Sequence, residues 1–128
     1  MAPVIYLDTH IVVWLYAGRT DLFGAQALED IRQNDLVISP MVTLELEYLR
    51  EIKRLKPRPQ KILDQLGQAI GLKVSDLLLG RVVAAGLEQS WTRDPFDRLI
   101  VGHAAVDQAR LLTKDSTILA HYRHAYWA

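Results

Sequence analysis

Four short apolar runs constrain this chain more than any other feature. PVIYLD (Pro3–Asp8), LVIS (Leu36–Ser39), LKV (Leu72–Val74) and LLT (Leu111–Thr113) are too short for helices. Their β-branched and leucine-rich character is that of strands buried on both faces of a parallel sheet. The tail RHAYWA (Arg123–Ala128) adds a candidate edge strand. The segments between these runs are long enough for helical crossovers and carry helical periodicity. Strand and helix by turns predict an α/β fold: a mainly parallel central sheet of four to five strands, covered on both faces in a three-layer α/β/α arrangement. With 128 residues and no repeat, low-complexity tract or linker, residues 1–128 are expected to form a single domain.

The helices have recognisable ends. Thr9 is a predicted cap for HIVVWLYAG, which Gly18 stops. A helix is expected from Asp21 to the Asn34-Asp35 turn, with Phe23, Ala27, Leu28 and Ile31 on its apolar face. Pro40 suits the first turn of PMVTLELEYLREIKRL. There Leu44, Leu49 and Ile52 are expected to face inward, with Val42 or Leu46 nearby. KPRP (Lys56–Pro59) breaks that helix, and Ile62, Leu63, Leu66 and Ile70 form the face of the next. Ser75-Asp76 is expected to cap DLLLGRVVAAGLEQS. Asp94 is expected to start a helix running through Ala109, and STILAHY makes a short last one.

Composition narrows the chemistry. There are no cysteines, which removes disulfides, thiolate metal sites and cysteine nucleophiles. Fifteen basic residues balance fifteen acidic ones, so no net charge draws the chain to nucleic acid or anionic membrane. The start MAPVIYLDTH lacks a basic leader region, and no apolar segment approaches bilayer-spanning length. A cytoplasmic protein without membrane contact is expected.

The carboxylates are more informative. In an open parallel sheet, sites form outside the carboxyl ends of the strands. Asp8 closes the first strand and Asp115 the LLT strand, so both point to one sheet edge. Asp94 and Asp97 open a helix that starts near that edge, and Glu45 lies in the second turn of the helix leaving strand two. Each also has a simpler structural role. Asp8 and Asp115 suit turns or caps, and Glu45 competes with Glu47 and Glu51. Asp94 is an N-cap before Pro95, and Asp97 falls at N3, where an acid suits the helix dipole. Taken together they say more. Unpaired carboxylates brought together repel, and one takes up a proton unless a cation intervenes. An all-oxygen site suits a hard cation such as Mg²⁺ or Mn²⁺, and its natural work is phosphoryl chemistry. The histidines at 10, 103, 121 and 124 show no zinc spacing, and no glycine run forms a phosphate loop or dinucleotide fingerprint.

Arg50, Lys53, Arg54, Lys56, Arg58 and Lys61 cluster within a dozen residues. They make either a solvated helix end or a track for a phosphate backbone, with Arg50, Lys53, Arg54 and Arg58 as the candidate contacts. Arg98, beside Asp97, is placed to brace a carboxylate or touch a phosphate. Trp14, Trp91 and Trp127 read as core or interface residues, and His103 as a packing or surface residue.

YLDTH (6–10), SPMVTLELEYL (39–49), RDPFDRLIVGHA (93–104) and LLTKDSTI (111–118) together resemble the PIN-domain family, and within it the bacterial VapC-type toxins of type II toxin–antitoxin modules. The resemblance runs from Val4 to about Tyr122. It implies a PIN-like fold and a Mg²⁺- or Mn²⁺-dependent endoribonuclease with four acidic residues at its centre: Asp8, Glu45, Asp97 and Asp115. Asp8, Asp97 and Asp115 would hold the metal, and Glu45 would complete the site or orient the water. Thr9 and Ser116 would support them through their hydroxyls, and Asp94 as cap and neighbour. The chain departs from the family pattern at Thr92, where histidine is frequent, and at Leu44, where tryptophan is. The resemblance further implies an RNA substrate, a homodimer, and a small cognate antitoxin that blocks the site in a hetero-oligomeric complex, with DNA contacted only through the antitoxin. The competing expectations are a DNA-directed or flap-type nuclease, a catalytically inactive PIN-like binding domain, and a small phosphatase or receiver-like domain.

Overall fold

The computed structural model describes residues 3–128. Five parallel strands form its sheet: β1 (Val4–Leu7), β2 (Asp35–Ile38), β3 (Lys73–Val74), β4 (Arg110–Leu112) and β5 (Ala125–Tyr126), in the order β3-β2-β1-β4-β5. On β1, Ile5 and Leu7 project to one face and Tyr6 to the other, yet all three are buried. On β4, Leu111 and Leu112 are likewise both buried. Successive residues point to opposite faces, so both faces must be covered. The molecule is the expected three-layer α/β/α fold.

The helices are α1 (Thr9–Tyr16), α2 (Ala25–Gln33), α3 (Pro40–Glu51), α4 (Pro59–Ile70), α5 (Leu79–Leu87), α6 (Pro95–Val106) and α7 (Ser116–His121). Their limits follow from local chemistry, and several differ from the sequence expectation. Asp8, not Thr9, caps α1. Its backbone is extended, its carboxylate accepts from the Thr9 amide, and its carbonyl accepts from the Ile11 and Val12 amides. The helix expected from Asp21 starts at Ala25, because Thr20–Leu22 winds into a 3-10 turn and Phe23 is extended before Gly24 caps α2. Helix α5 starts at Leu79, later than Ser75-Asp76 suggested. The Ser75 hydroxyl is engaged in a turn instead, accepting from the Leu77 amide and from the Tyr6 hydroxyl. Helix α6 ends at Val106, short of Ala109, and Gln108 with φ 54° turns the chain back to β4.

The inward face of α3 was expected in the wrong phase. Val42 and Leu46 are fully buried, whereas Leu44 is 55% exposed and Ile52 42% exposed. This helix carries apolar residues on two nearly opposite stripes, 42–46 and 44–48–52, so helical period alone does not choose between them. Helices α5 and α6 meet at two glycines. A Cβ on Gly102 would lie 2.9 Å from the Val82 carbonyl oxygen, and one on Gly86 would lie 3.3 Å from that of Arg98. Hydrogen at both positions lets the two backbones approach.

Candidate active site

The topological switch point fixes where a site can form. The chain leaves β1 for β2 on one side and later returns to β4 on the other, so a crevice opens between the carboxyl ends of β1 and β4. Their register pairs Leu7 with Leu112, and the Asp8 amide extends the ladder to the Leu112 carbonyl. The next residues on the two strands, Asp8 and Thr113, are buried side by side. The Thr113 hydroxyl donates to Asp8 Oδ2 at 2.6 Å and accepts from the Asp115 amide at 3.0 Å. Asp115 lies beyond the end of β4 as the N-cap of α7, its Oδ1 accepting from the Thr117 and Ile118 amides.

The remaining carboxylates arrive from two helices. Ser39 caps α3 with Pro40 in the first turn, and that entry brings Glu45 to the Thr9 hydroxyl, which donates to Glu45 Oε1. Asp94 caps α6, its Oδ1 accepting from the amides of Phe96 at 2.8 Å and Asp97 at 3.4 Å. Asp97 follows three residues later. Asp8, Glu45, Asp94, Asp97 and Asp115 thus line a single cleft of about 490 Å³, together with His10, Trp14 and Lys114.

The cleft is short of compensating positive charge, and this moves its acids. Burial pushes Asp8 up from the ordinary carboxylate range, against the Thr113 and Thr9 hydrogen bonds, which favour its charged form. Burial also raises Glu45, while the Thr9 hydrogen bond lowers it and Asp8 raises it further. Asp97 is displaced to about 7, by burial first and then by the negative charges of Asp94, Asp8, Asp115 and Glu45. Among the described residues, no group of three or more histidine, cysteine, aspartate or glutamate side chains already stands in a metal-holding arrangement.

Other candidates from the sequence lie elsewhere. The Arg98 guanidinium donates to the Gly86 and Leu87 carbonyls, so it braces the end of α5 and not a carboxylate. Ser116 is exposed at the start of α7, and among the described residues its hydroxyl has no hydrogen-bond partner. Arg50 pairs with Glu47 at 2.8 Å, Lys53 turns the chain after α3 with φ 64°, Arg54 is exposed, and Arg58 precedes α4. None of these four lines the carboxylate cleft. His103 is buried beneath Tyr6, its Nδ1 against the Leu99 carbonyl. Sequence reasoning missed Thr113 and Lys114. The signal for Thr113 was its place one residue after the strand residue that pairs with Leu7.

The PIN domain family profile matches residues 5–124. The chain belongs to the PIN-domain family. It is homologous to the VapC-type ribonucleases of toxin–antitoxin systems. It is 30% identical over 127 residues to Ribonuclease VapC22 of Mycobacterium tuberculosis, covering 94% of this chain and 92% of that one. Its fold is shared with a chain of VapBC2 from Rickettsia felis, solved bound to a DNA fragment from their promoter. That likeness has a TM-score of 0.68 at 22% identity and covers 98% of this chain and 99% of the other. A chain of a toxin–antitoxin complex from Klebsiella pneumoniae matches with a TM-score of 0.64 at 18% identity, over 95% of both chains. In this PIN domain, among the described residues, no helix is long and apolar enough to cross a membrane.

Proposed function

We propose that this chain is a divalent-metal-dependent endoribonuclease and the toxin of a type II toxin–antitoxin pair, acting in the cytoplasm as a single nuclease domain. The observation that carries the reading is the meeting of Asp8, Glu45, Asp97 and Asp115, from four separate parts of the sequence, in one cleft at the switch point of a PIN domain.

The donor set fits a hard divalent cation. It is all oxygen. Among the described residues the Asp97 carboxylate has no hydrogen-bond donor, and Glu45 Oε2 and Asp115 Oδ2 are equally unoccupied by protein groups. Mutual repulsion holds such groups apart and raises their proton affinity until a cation replaces the proton. Asp8, Asp97 and Asp115 are the proposed ligands, and Glu45 completes the site or orients the water. A bound Mg²⁺ or Mn²⁺ supplies Lewis acidity toward the phosphate and lowers the pKa of a water. Asp8 is held rigid for this task by Thr113 and the Thr9 amide. Glu45, fixed at one oxygen by Thr9, keeps the other to accept a hydrogen bond from the attacking water. In the proposed reaction that water would release a proton to solvent as its oxygen bonds to phosphorus. The bond to the ribose 3′ oxygen would break with its electron pair staying on that oxygen, which takes a proton from solvent, leaving a 5′-phosphate and a 3′-hydroxyl.

The proposed partners are RNA as substrate, a second copy of the chain, and a small antitoxin that covers the cleft and alone touches DNA. Apolar side chains exposed along α3 (Leu44, Tyr48, Ile52) and α5 (Leu79, Val83, Leu87) offer surface for such partners. The test is cleavage of matched RNA and DNA strands with Mg²⁺ or Mn²⁺, followed by mapping of cuts in total cellular RNA, with Asp8→Ala as control. RNA cleavage that needs the metal and Asp8 is expected. Preferential DNA cleavage, or equal cleavage by the control, would overturn the reading.

A further inference from the structure

The part of the cleft wall that is not carboxylate, His10, Trp14 and Lys114, has its own chemistry. His10 is exposed on the first turn of α1, and its ring lies 6.2 Å from that of Trp14 one turn later. The Trp14 indole is backed by two further rings, meeting Trp127 edge-on at 5.9 Å and Phe23 at 6.3 Å. Phe23 and Trp127 touch each other at 5.4 Å, and the Gly24 amide holds the tail through the Ala128 carbonyl. Aromatic packing on this scale fixes the plane of Trp14 before any ligand arrives.

Lys114 completes the wall. Its ammonium lies 5.9 Å from the Trp14 ring centre and 5.6 Å from that of Trp127. It neighbours Asp115 in sequence and lines a cleft with five carboxylates, yet it forms no ion pair with any of them among the described residues. Two indole faces hold this cation by its attraction to their π-clouds. The rings do not neutralise that charge, so an incoming phosphate draws the ammonium onto itself and uncovers the Trp14 face it lay over. A polynucleotide entering an acidic cleft needs such a charge, because each flanking phosphate is repelled by the carboxylates.

We infer that Trp14, with His10 beside it, is a stacking platform for one unpaired base of the substrate, and that Lys114 binds the phosphate next to that base. The inference rests on the nuclease reading and adds what that reading lacks, a seat for the nucleotide flanking the scissile bond. A paired base keeps its faces covered by its neighbours, so the platform selects single strands. Lys114 and Trp14 are positioning residues: they locate the strand and leave the bond-breaking to the carboxylates.

The test separates binding from cleavage. A labelled single-stranded RNA oligonucleotide is titrated into the full chain carrying Asp97→Asn, which removes turnover, and affinity is measured across salt concentrations. Adding Lys114→Gln is expected to weaken binding about tenfold at low salt and to reduce the slope of log affinity on log salt by about 0.7, the loss of one phosphate contact on a single strand. Adding Trp14→Leu is expected to weaken binding about tenfold and to abolish most of the tryptophan quenching, whereas Trp14→Phe keeps most of the affinity. A hairpin of the same sequence should bind more weakly than the open strand. Lys114 is exposed, so its replacement tests the wall even where Trp14→Leu impairs folding. Unchanged affinity and salt slope in Lys114→Gln would overturn the inference. If wild type then still cuts RNA, the nuclease reading survives alone. Binding that depends on Lys114 and Trp14 without metal-dependent cleavage keeps the wall and removes the nuclease reading.

Discussion

Asp8 and Asp30 are buried to the same degree, each 8% exposed, but the protein treats them differently. Asp30, on α2, is surrounded by donors. Gln26 Nε2 reaches Oδ1 at 2.9 Å, the Tyr126 hydroxyl reaches Oδ2 at 3.1 Å, and Arg110 approaches Oδ2 at 3.5 Å while lying over the Tyr126 ring. Burial and the bond to Asp30 push the Tyr126 phenol up to about 12, so it stays a donor at any ordinary pH. That network ties α2 to β4 and β5 and is complete within the chain. Asp8 receives a hydroxyl and an amide but, among the described residues, no ion pair; of the charges that act on it, His10 favours its charged form and Asp115 opposes it. A buried charge left short of a counter-charge costs stability, and a fold retains that cost where something outside the chain supplies the missing charge. The contrast separates a carboxylate that holds the fold from one that we propose takes a ligand.

The largest effects should split along that line. Asp8→Asn and Asp97→Asn are each expected to lower metal-dependent RNA cleavage by on the order of a thousandfold, because the lost interaction is worth several kcal/mol at the reacting phosphate. Circular dichroism and urea midpoints should show the fold intact. Cleavage within tenfold of wild type would remove these two from the catalytic centre. Asp30→Ala should do the reverse. It strands the Tyr126 hydroxyl and leaves Arg110 unpaired, and because Arg110 is part-exposed the expected loss is about 2 kcal/mol of unfolding free energy. The affinity for Mn²⁺, measured by calorimetry, should be unchanged. A fall in Mn²⁺ affinity matching that of Asp8→Asn would erase the distinction.

Legibility in the sequence followed the same division. The ends of parallel strands share one edge, so Asp8 and Asp115 were placed together from pattern alone, and helix-start chemistry placed Asp94 and Asp97. What pattern missed depends on tertiary geometry. Thr113 becomes a site residue only once the β1–β4 register sets it beside Asp8. Lys114 acquires its position from two rings that are 100 residues before it and 13 after it in the chain. The two apolar stripes of α3 left Leu44 and Ile52 without a periodic cue to their side. Arg98, adjacent to Asp97 in sequence, points back to α5, because neighbours on a helix diverge by about 100°.

The unmet charge at the cleft should also show as a dependence of stability on pH. Asp97 sits at about 7 in the folded chain against an ordinary 3.8. Below 3.8 it is protonated in both states and carries no penalty. Between 3.8 and about 7 the unfolded chain releases the proton that the folded chain keeps, so stability falls as pH rises through this window. Above it the deficit is constant. Asp97→Asn should therefore match wild type near pH 3.5 and exceed it at pH 8, in chelator, by about 1 kcal/mol once half-exposure of the group is allowed for. Mn²⁺ at pH 8 should stabilise wild type and close the gap. A gain of equal size at both pH values would trace it to packing and not to charge.

The smallest effect tests the division of work between Asp94 and Asp97. Asp94 uses Oδ1 to cap the Phe96 and Asp97 amides, and asparagine keeps that oxygen. Asp94→Asn should change stability by no more than about 0.5 kcal/mol, whereas Asp94→Ala, which cannot cap, should lose about 1 kcal/mol. Asp94 is also the first among the charges that raise Asp97. Neutralising it should lower the Asp97 pKa, which would move the onset of metal binding toward lower pH while most cleavage is retained. Loss of cleavage as deep as in Asp97→Asn would make Asp94 a ligand. An unmoved pH profile would instead mean that solvent screens the two carboxylates from each other, and that burial and the other three carboxylates displace Asp97.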